Sequence, residues 1–121
     1  MEVDIAGSVV RVYMGSDGGN YVSISFGSLS NDEWYNLVLT VEPNSTSQDL
    51  KSYTDGALVS SYTSSSSYVW DGDVADLYLG VGYTAGRHFT GKIAAFELYN
   101  RVLSADEIAQ NFTVQRQRFG V

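Results

Sequence analysis

The side chains with the most chemical potential cluster between positions 64 and 88. Asp71, Asp73 and Asp76 place three carboxylates close together, and hard oxygen ligands gathered in a loop are what Ca²⁺ takes. The spacing lacks the EF-hand order of ligands ending in Glu, so solvated turn acids stand beside the calcium reading. No other cofactor is expected. Just ahead, Tyr68 and Trp70 follow a serine run at 64–67. Aromatic rings that join a flat face to a polar handle suit a platform for a sugar ring, and equally a place beneath that loop or against a neighbouring chain. His88, the sole histidine, sits in Gly86-Arg87-His88-Phe89 with no Ser or Cys motif beside it to form a nucleophile and base pair, and reads as a surface residue.

Elements must hold these residues in place, and composition narrows their kind. Apolar residues are 44% of the 121 positions and charged ones 17%, enough burial potential for one folded domain and too short a chain for two. A single proline and twelve glycines among short apolar runs suit strands and tight turns. There is no cysteine, so packing rather than disulfides must hold the fold. The net charge of −7 repels phosphate backbones and anionic lipid, which argues against nucleic acid and membrane partners. No apolar run approaches the roughly 20 residues of a membrane helix, and no signal peptide is expected. After Glu107 the only charged residues are Arg116 and Arg118, so the end of the chain is locally basic.

Val10, Val12 and Met14 alternate with polar or amphipathic neighbours, as do Val22, Ile24 and Phe26, predicting two strands paired across the turn-rich 15–20. From Trp34 to Val41 both faces carry apolar groups, predicting a central strand with Trp34 in the core. Asp55-Gly56 between 50–54 and 57–62 predicts a tight hairpin, because a type I′ turn needs positive φ at both central residues. The serine run at 64–67 reads as an exposed loop. Strands are expected at 77–81 and, as the last long one, at 93–99. Ser104-Ala105-Asp106-Glu107 is a capping-box pattern opening a short helix that Ile108 and Phe112 would dock. Arg101, between strand and helix, is expected to pair with Glu97 or Asp106. Residues 113–121 read as an extended tail, dividing the chain into a domain at 1–112 and a tail at 113–121. There Arg116, Arg118 and Phe119 combine charge with an apolar anchor suited to an acidic partner surface.

Several of these segments resemble a known family in the order of their motifs. Asn31-Asp32-Glu33-Trp34-Tyr35-Asn36-Leu37-Val38 looks like its Trp strand, Tyr53-Thr54-Asp55-Gly56-Ala57-Leu58-Val59 like its Y-x-D-G hairpin and Leu77-Tyr78-Leu79-Gly80 like its L-x-I-G strand. The most specific piece, from Phe89-Thr90-Gly91-Lys92-Ile93 through Phe96, Tyr99-Asn100-Arg101, Leu103-Ser104 and Glu107-Ile108, is similar to its closing F-x-G-x-I-x-x-F-x-x-Y-N-R-x-L-S-x-x-E-I. The chain thus resembles the laminin G-like members of the concanavalin A-like lectin/glucanase superfamily from residue 9 to residue 112. The resemblance implies an all-β fold: a two-sheet antiparallel jelly-roll sandwich with one short C-terminal helix. The family's strands ahead of Val9 are expected to be absent, truncating the sandwich at its N-terminus and leaving edges for a partner to cover.

Within that family, retaining glucanases carry an E-x-D-x-x-E strand that Glu2-Val3-Asp4-Ile5-Ala6-Gly7 partly resembles. Such enzymes need two carboxylates on one strand face about 5 Å apart. Gly7 stands in the second carboxylate's place, at what reads as a frayed chain start, so the chain is expected not to be an enzyme. Residues 110–121 resemble short tails that follow this domain in tailed-phage virion proteins. The implied role is a structural protein at the virion surface: a capsid decoration, knob or fibre-associated protein. It would contact capsid or other virion proteins and its own copies through exposed sheet edges and the tail. The alternative is an extracellular carbohydrate-binding module that recognises cell-surface or polysaccharide glycans through Tyr68 and Trp70.

Overall fold

The computed structural model describes residues 2–6, 9–15, 21–44, 47–64, 79–80 and 88–119, with side chains from Val22 onward. Among these residues six strands and one helix are formed: β1 (Glu2–Ala6), β2 (Val9–Gly15), β3 (Tyr21–Ser28), β4 (Leu37–Pro43), β5 (Gln48–Thr54), β6 (Ala57–Ser64) and α1 (Ala105–Phe119). The strands make two three-stranded antiparallel sheets, β1-β2-β3 and β4-β5-β6. Each is a meander of consecutive strands. Among the described residues no strand returns to the other sheet, so the jelly-roll crossovers are not formed by these six. The expectation of a strand-rich fold with one C-terminal helix is met at that coarser level.

Alternation explains which face of β3 is buried. Val22, Ile24 and Phe26 point into the core and Ser23 out of it, the period-two pattern of a half-covered strand. Leu50 of β5 joins them, with Leu29, Leu39 and Val41 packed around. β3 is also outermost among the described strands of its sheet, and its carbonyls meet side-chain hydroxyls of β5. Ser52 Oγ donates to the Ser25 carbonyl at 2.6 Å and Thr54 Oγ1 to that of Phe26 at 2.8 Å. These bonds satisfy a fully buried serine and join the two sheets.

The other face of the second sheet carries the helix. Tyr53, Leu103 and Ile108 form a second cluster, with Val38 against it. Ile108 docks α1 as expected, and Phe112 lies over the hairpin turn. There Asp55 (φ 52) and Gly56 (φ 79) adopt the anticipated left-handed pair. A Cβ on Gly56 would sit 3.2 Å from Ala109 Cα and 3.2 Å from Phe112 Cβ, so this glycine serves both the turn and the close approach of the helix.

Several expectations are corrected. Among the described strands β4 stands at the edge of its sheet and not at its centre; its two apolar faces are covered by different layers, Leu39 and Val41 by the first core and Val38 by the helix side. Trp34 lies outside that strand and is 45% exposed, because the chain turns at Asn31-Asp32 and the ladder begins only at Leu37. Ser64 is the buried end of β6 and not part of an exposed loop. β1 precedes Val9 and pairs with β2, Val3 opposite Val12, so a strand does stand ahead of that point and Glu2 and Asp4 lie in a ladder, not in a frayed start. Residues 91–103 form no strand, since nothing in the described chain supplies a ladder for 93–99. The extended tail is also overturned: α1 continues through Phe119. No helix breaker intervenes before Gly120, Thr113 Oγ1 donates to the Ala109 carbonyl, and Arg116 and Arg118 complement the helix dipole in its last turn. The strand expected at 77–81 lies outside the described residues except for Leu79 and Gly80.

Candidate functional site

The chain leaves Leu98 and runs as a strap across the start of α1. The capping box closes as its spacing predicts: Glu107 N donates to Ser104 Oγ at 3.2 Å, and Ser104 N donates back to Glu107 Oε2 at 2.8 Å. Arg101 completes it with a two-pronged contact, Nη1 to Oε2 at 2.9 Å and Nη2 to Oε1 at 2.8 Å. The expected partners Glu97 and Asp106 are thus replaced by Glu107. First the Arg101 hydrogen bonds and then the Ser104 amide hold the Glu107 carboxyl down at about 2. The same contact raises the Arg101 guanidinium further above its usual value. Both side chains are largely in solvent, so the pair fixes geometry more than it adds stability.

Glu97 is held from two sides. Tyr99 Oη donates to Oε2, and Gln115 Nε2 donates to Oε1 at 2.9 Å. Accepting that bond, Glu97 pushes the Tyr99 phenol above its ordinary value. Gln115 in turn accepts from Asn36 Nδ2 at 3.0 Å, and Asn36 exchanges two bonds with Asp55 at 2.9 Å, its amide donating to Oδ1 and its carbonyl accepting from the Asp55 amide. A polar relay thereby runs from the strap through the helix to the entry of β4 and the β5–β6 turn. The buried Asn36 Oδ1 has no partner among the described residues.

Between strap and helix lies a cleft of about 520 Å³. The strap contributes Glu97, Tyr99, Arg101 and Leu103; α1 contributes Glu107, Gln110, Asn111, Val114, Gln115 and Arg118. Two carboxylates balance two guanidiniums. Glu107 stays ionised and Tyr99 protonated near neutrality, so neither exchanges a proton there and the arrangement suits binding through hydrogen bonds.

Of the residues expected from the sequence to bind a sugar, a metal or a partner, Arg118 alone lines this cleft; Glu97, Arg101 and Glu107 line it too, but were expected only to pair or to cap the helix. Arg116 and Phe119 share its helix, where the Arg116 guanidinium lies 5.6 Å over the Phe112 ring and that of Arg118 5.5 Å over Phe119. His88 is exposed. Tyr68, Trp70, Asp71, Asp73 and Asp76 lie outside the described residues. Sequence reasoning missed the cleft, although Glu97, Tyr99 and Arg101 alternate along the strap and Asn111, Gln115 and Arg118 recur at helical spacing.

Among the described residues, no helix is long and apolar enough to cross a membrane and no group of three or more His, Cys, Asp or Glu is placed to hold a metal ion. No match is found among curated proteins or among solved structures. The family model described as concanavalin A-like lectin/glucanases superfamily matches residues 2–109, reaching back to β1 and forward into α1. That coverage spans most of the chain, and the protein therefore belongs to the concanavalin A-like lectin/glucanases superfamily.

Proposed function

We propose that this chain is a non-enzymatic structural protein of a virus particle, a capsid decoration, knob or fibre-associated protein, that assembles through exposed apolar chain and sheet edges. The observation that carries the assembly reading is the segment from Phe89 to Val102. Phe89, Ile93, Phe96, Tyr99 and Val102 are exposed, and Leu98 is 80% exposed. Soluble monomers rarely leave so many large apolar groups uncovered in one region. β6, outermost among the described strands of its sheet, adds Leu58, Val59 and Tyr62 to the exposed apolar surface. The basic end of α1, with Arg116, Arg118 and Phe119, complements the acidic body of a second copy or of another virion protein. The fold family fits a structural role, and the likeness of residues 110–121 to tails in phage virion proteins supports the particle assignment. Gly7 in place of a second catalytic carboxylate supports the non-enzymatic reading.

Light scattering coupled to size-exclusion chromatography tests assembly. The account expects a defined oligomer that Phe96→Ser and Leu98→Ser convert to monomer; a monomer at every concentration counts against it. The particle assignment is tested by mass spectrometry of density-gradient-purified particles from the source of the sequence, with stoichiometric recovery of the chain expected and its absence the refuting result. Carbohydrate binding is a second reading that the fold family fits, and the polar cleft on α1 is the observation in its favour.

A further inference from the structure

We propose that the cleft between the strap and α1 binds a small zwitterion, a free α-amino acid with an apolar side chain, an inference independent of the assembly reading. Charge selects the ligand. Of the four charged side chains that line the cleft, Arg101 and Glu107 satisfy each other through their two-pronged contact. Glu97 has only neutral partners, the Tyr99 phenol and the Gln115 amide. Arg118 lies over the Phe119 ring and meets no carboxylate among the described residues. One anion and one cation are thereby left without an ion pair. A ligand of single charge answers one of them and is repelled by the other, whereas a ligand carrying both signs on neighbouring atoms answers both.

The helix brings the two charges close together. Gln115 Nε2 holds Glu97 Oε1 at 2.9 Å, and Arg118 follows on the same face of α1 within one turn. That placement suits an α-amino acid, whose ammonium and carboxylate are attached to the same carbon. The ammonium donates to Glu97, whose oxygens each accept one bond and keep lone pairs for more. The carboxylate accepts from the Arg118 guanidinium, whose planar fork matches it. Val114 and the Tyr99 ring are exposed along the same cleft and offer apolar surface to the ligand's side chain. A volume of about 520 Å³ is in the range of small-molecule sites. The relay through Gln115 to Asn36 and Asp55 ties Glu97 to the sheet, so the anion is fixed before a ligand arrives.

The test is a ¹H–¹⁵N NMR titration of the 121-residue chain at low salt with L-valine, L-leucine and L-phenylalanine. The expected result is saturable shifts at the Gln115 side-chain amide, the Tyr99 backbone and the Arg118 backbone with at least one of the three. For that amino acid, the N-acetylated form, which lacks the ammonium, and the amide form, which lacks the carboxylate, should each bind about tenfold more weakly or worse. Glu97→Gln and Arg118→Gln should each weaken binding of the free amino acid by a similar factor; Arg118 is exposed in the last turn of α1, so its variant reports binding even if Glu97→Gln disturbs the strap. Added salt should weaken binding further. No saturable shift with any of the three, saturable shifts confined to other residues, or blocked forms that bind as well as the free amino acid would overturn the proposal, and none of these results bears on the oligomeric state.

Discussion

The α1 docking region and the segment at 89–102 carry the same kinds of apolar residue and meet opposite fates. In the first, Tyr53, Leu103 and Ile108 are buried, Ile108 to 1% exposure, because β4 and β5 form an uninterrupted ladder beneath them. In the second, Ile93 is 52% exposed, as no ladder among the described residues holds the segment against a facing layer. Pattern alone does not bury a side chain; a hydrogen-bonded sheet with a covering layer does.

The largest effect expected from this contrast comes from making one change in both places. Ile108→Ala should cost about 2–5 kcal/mol of unfolding free energy in urea titrations, the range for emptying a packed core site. Ile93→Ala in the monomer should change it by less than about 0.5 kcal/mol. Equal losses at both sites would break the comparison.

Next in size is the joint between turn and helix. Gly56→Ala strains a positive φ and presses on Ala109 and Phe112, so a loss of about 1–3 kcal/mol is expected in thermal or urea unfolding. A neutral result would show that the helix does not sit against the turn.

A smaller effect sharpens the picture at the helix start. Folding depresses the Glu107 carboxyl from the ordinary value of 4.5 to about 2, so its contribution is present above about 4.5 and fades as pH falls toward 2. The melting-temperature gap between wild type and Glu107→Gln should narrow over that window and stay constant above it. A gap independent of pH would mean that Arg101 and Glu107 do not pair in solution.

Local chemistry was the legible part of this fold. Asp55-Gly56 announced its turn, Ser104 and Glu107 their cap, and Val22, Ile24 and Phe26 their buried face, because each depends on residues within one turn or one strand. What sequence alone left open depends on neighbours in space. The two apolar faces of β4 resembled those of a central strand, yet they arise from layers above and below a strand that is outermost among those described. Ile93 to Tyr99 alternates like a strand, but a strand exists only with a partner. The helix outran its expected end because Gln115 finds Asn36 and Glu97, contacts invisible along the chain. In the candidate site the capping pair was readable, whereas the cleft needs the strap and helix brought together.

Amide hydrogen exchange of residues 89–102, followed by mass spectrometry over a range of protein concentrations, tests the central claim most directly. The account predicts rapid exchange in this segment at low concentration and protection that rises with the oligomer fraction, while β5 stays protected throughout. Strong protection already in the monomer, or none when oligomer is present, would contradict it.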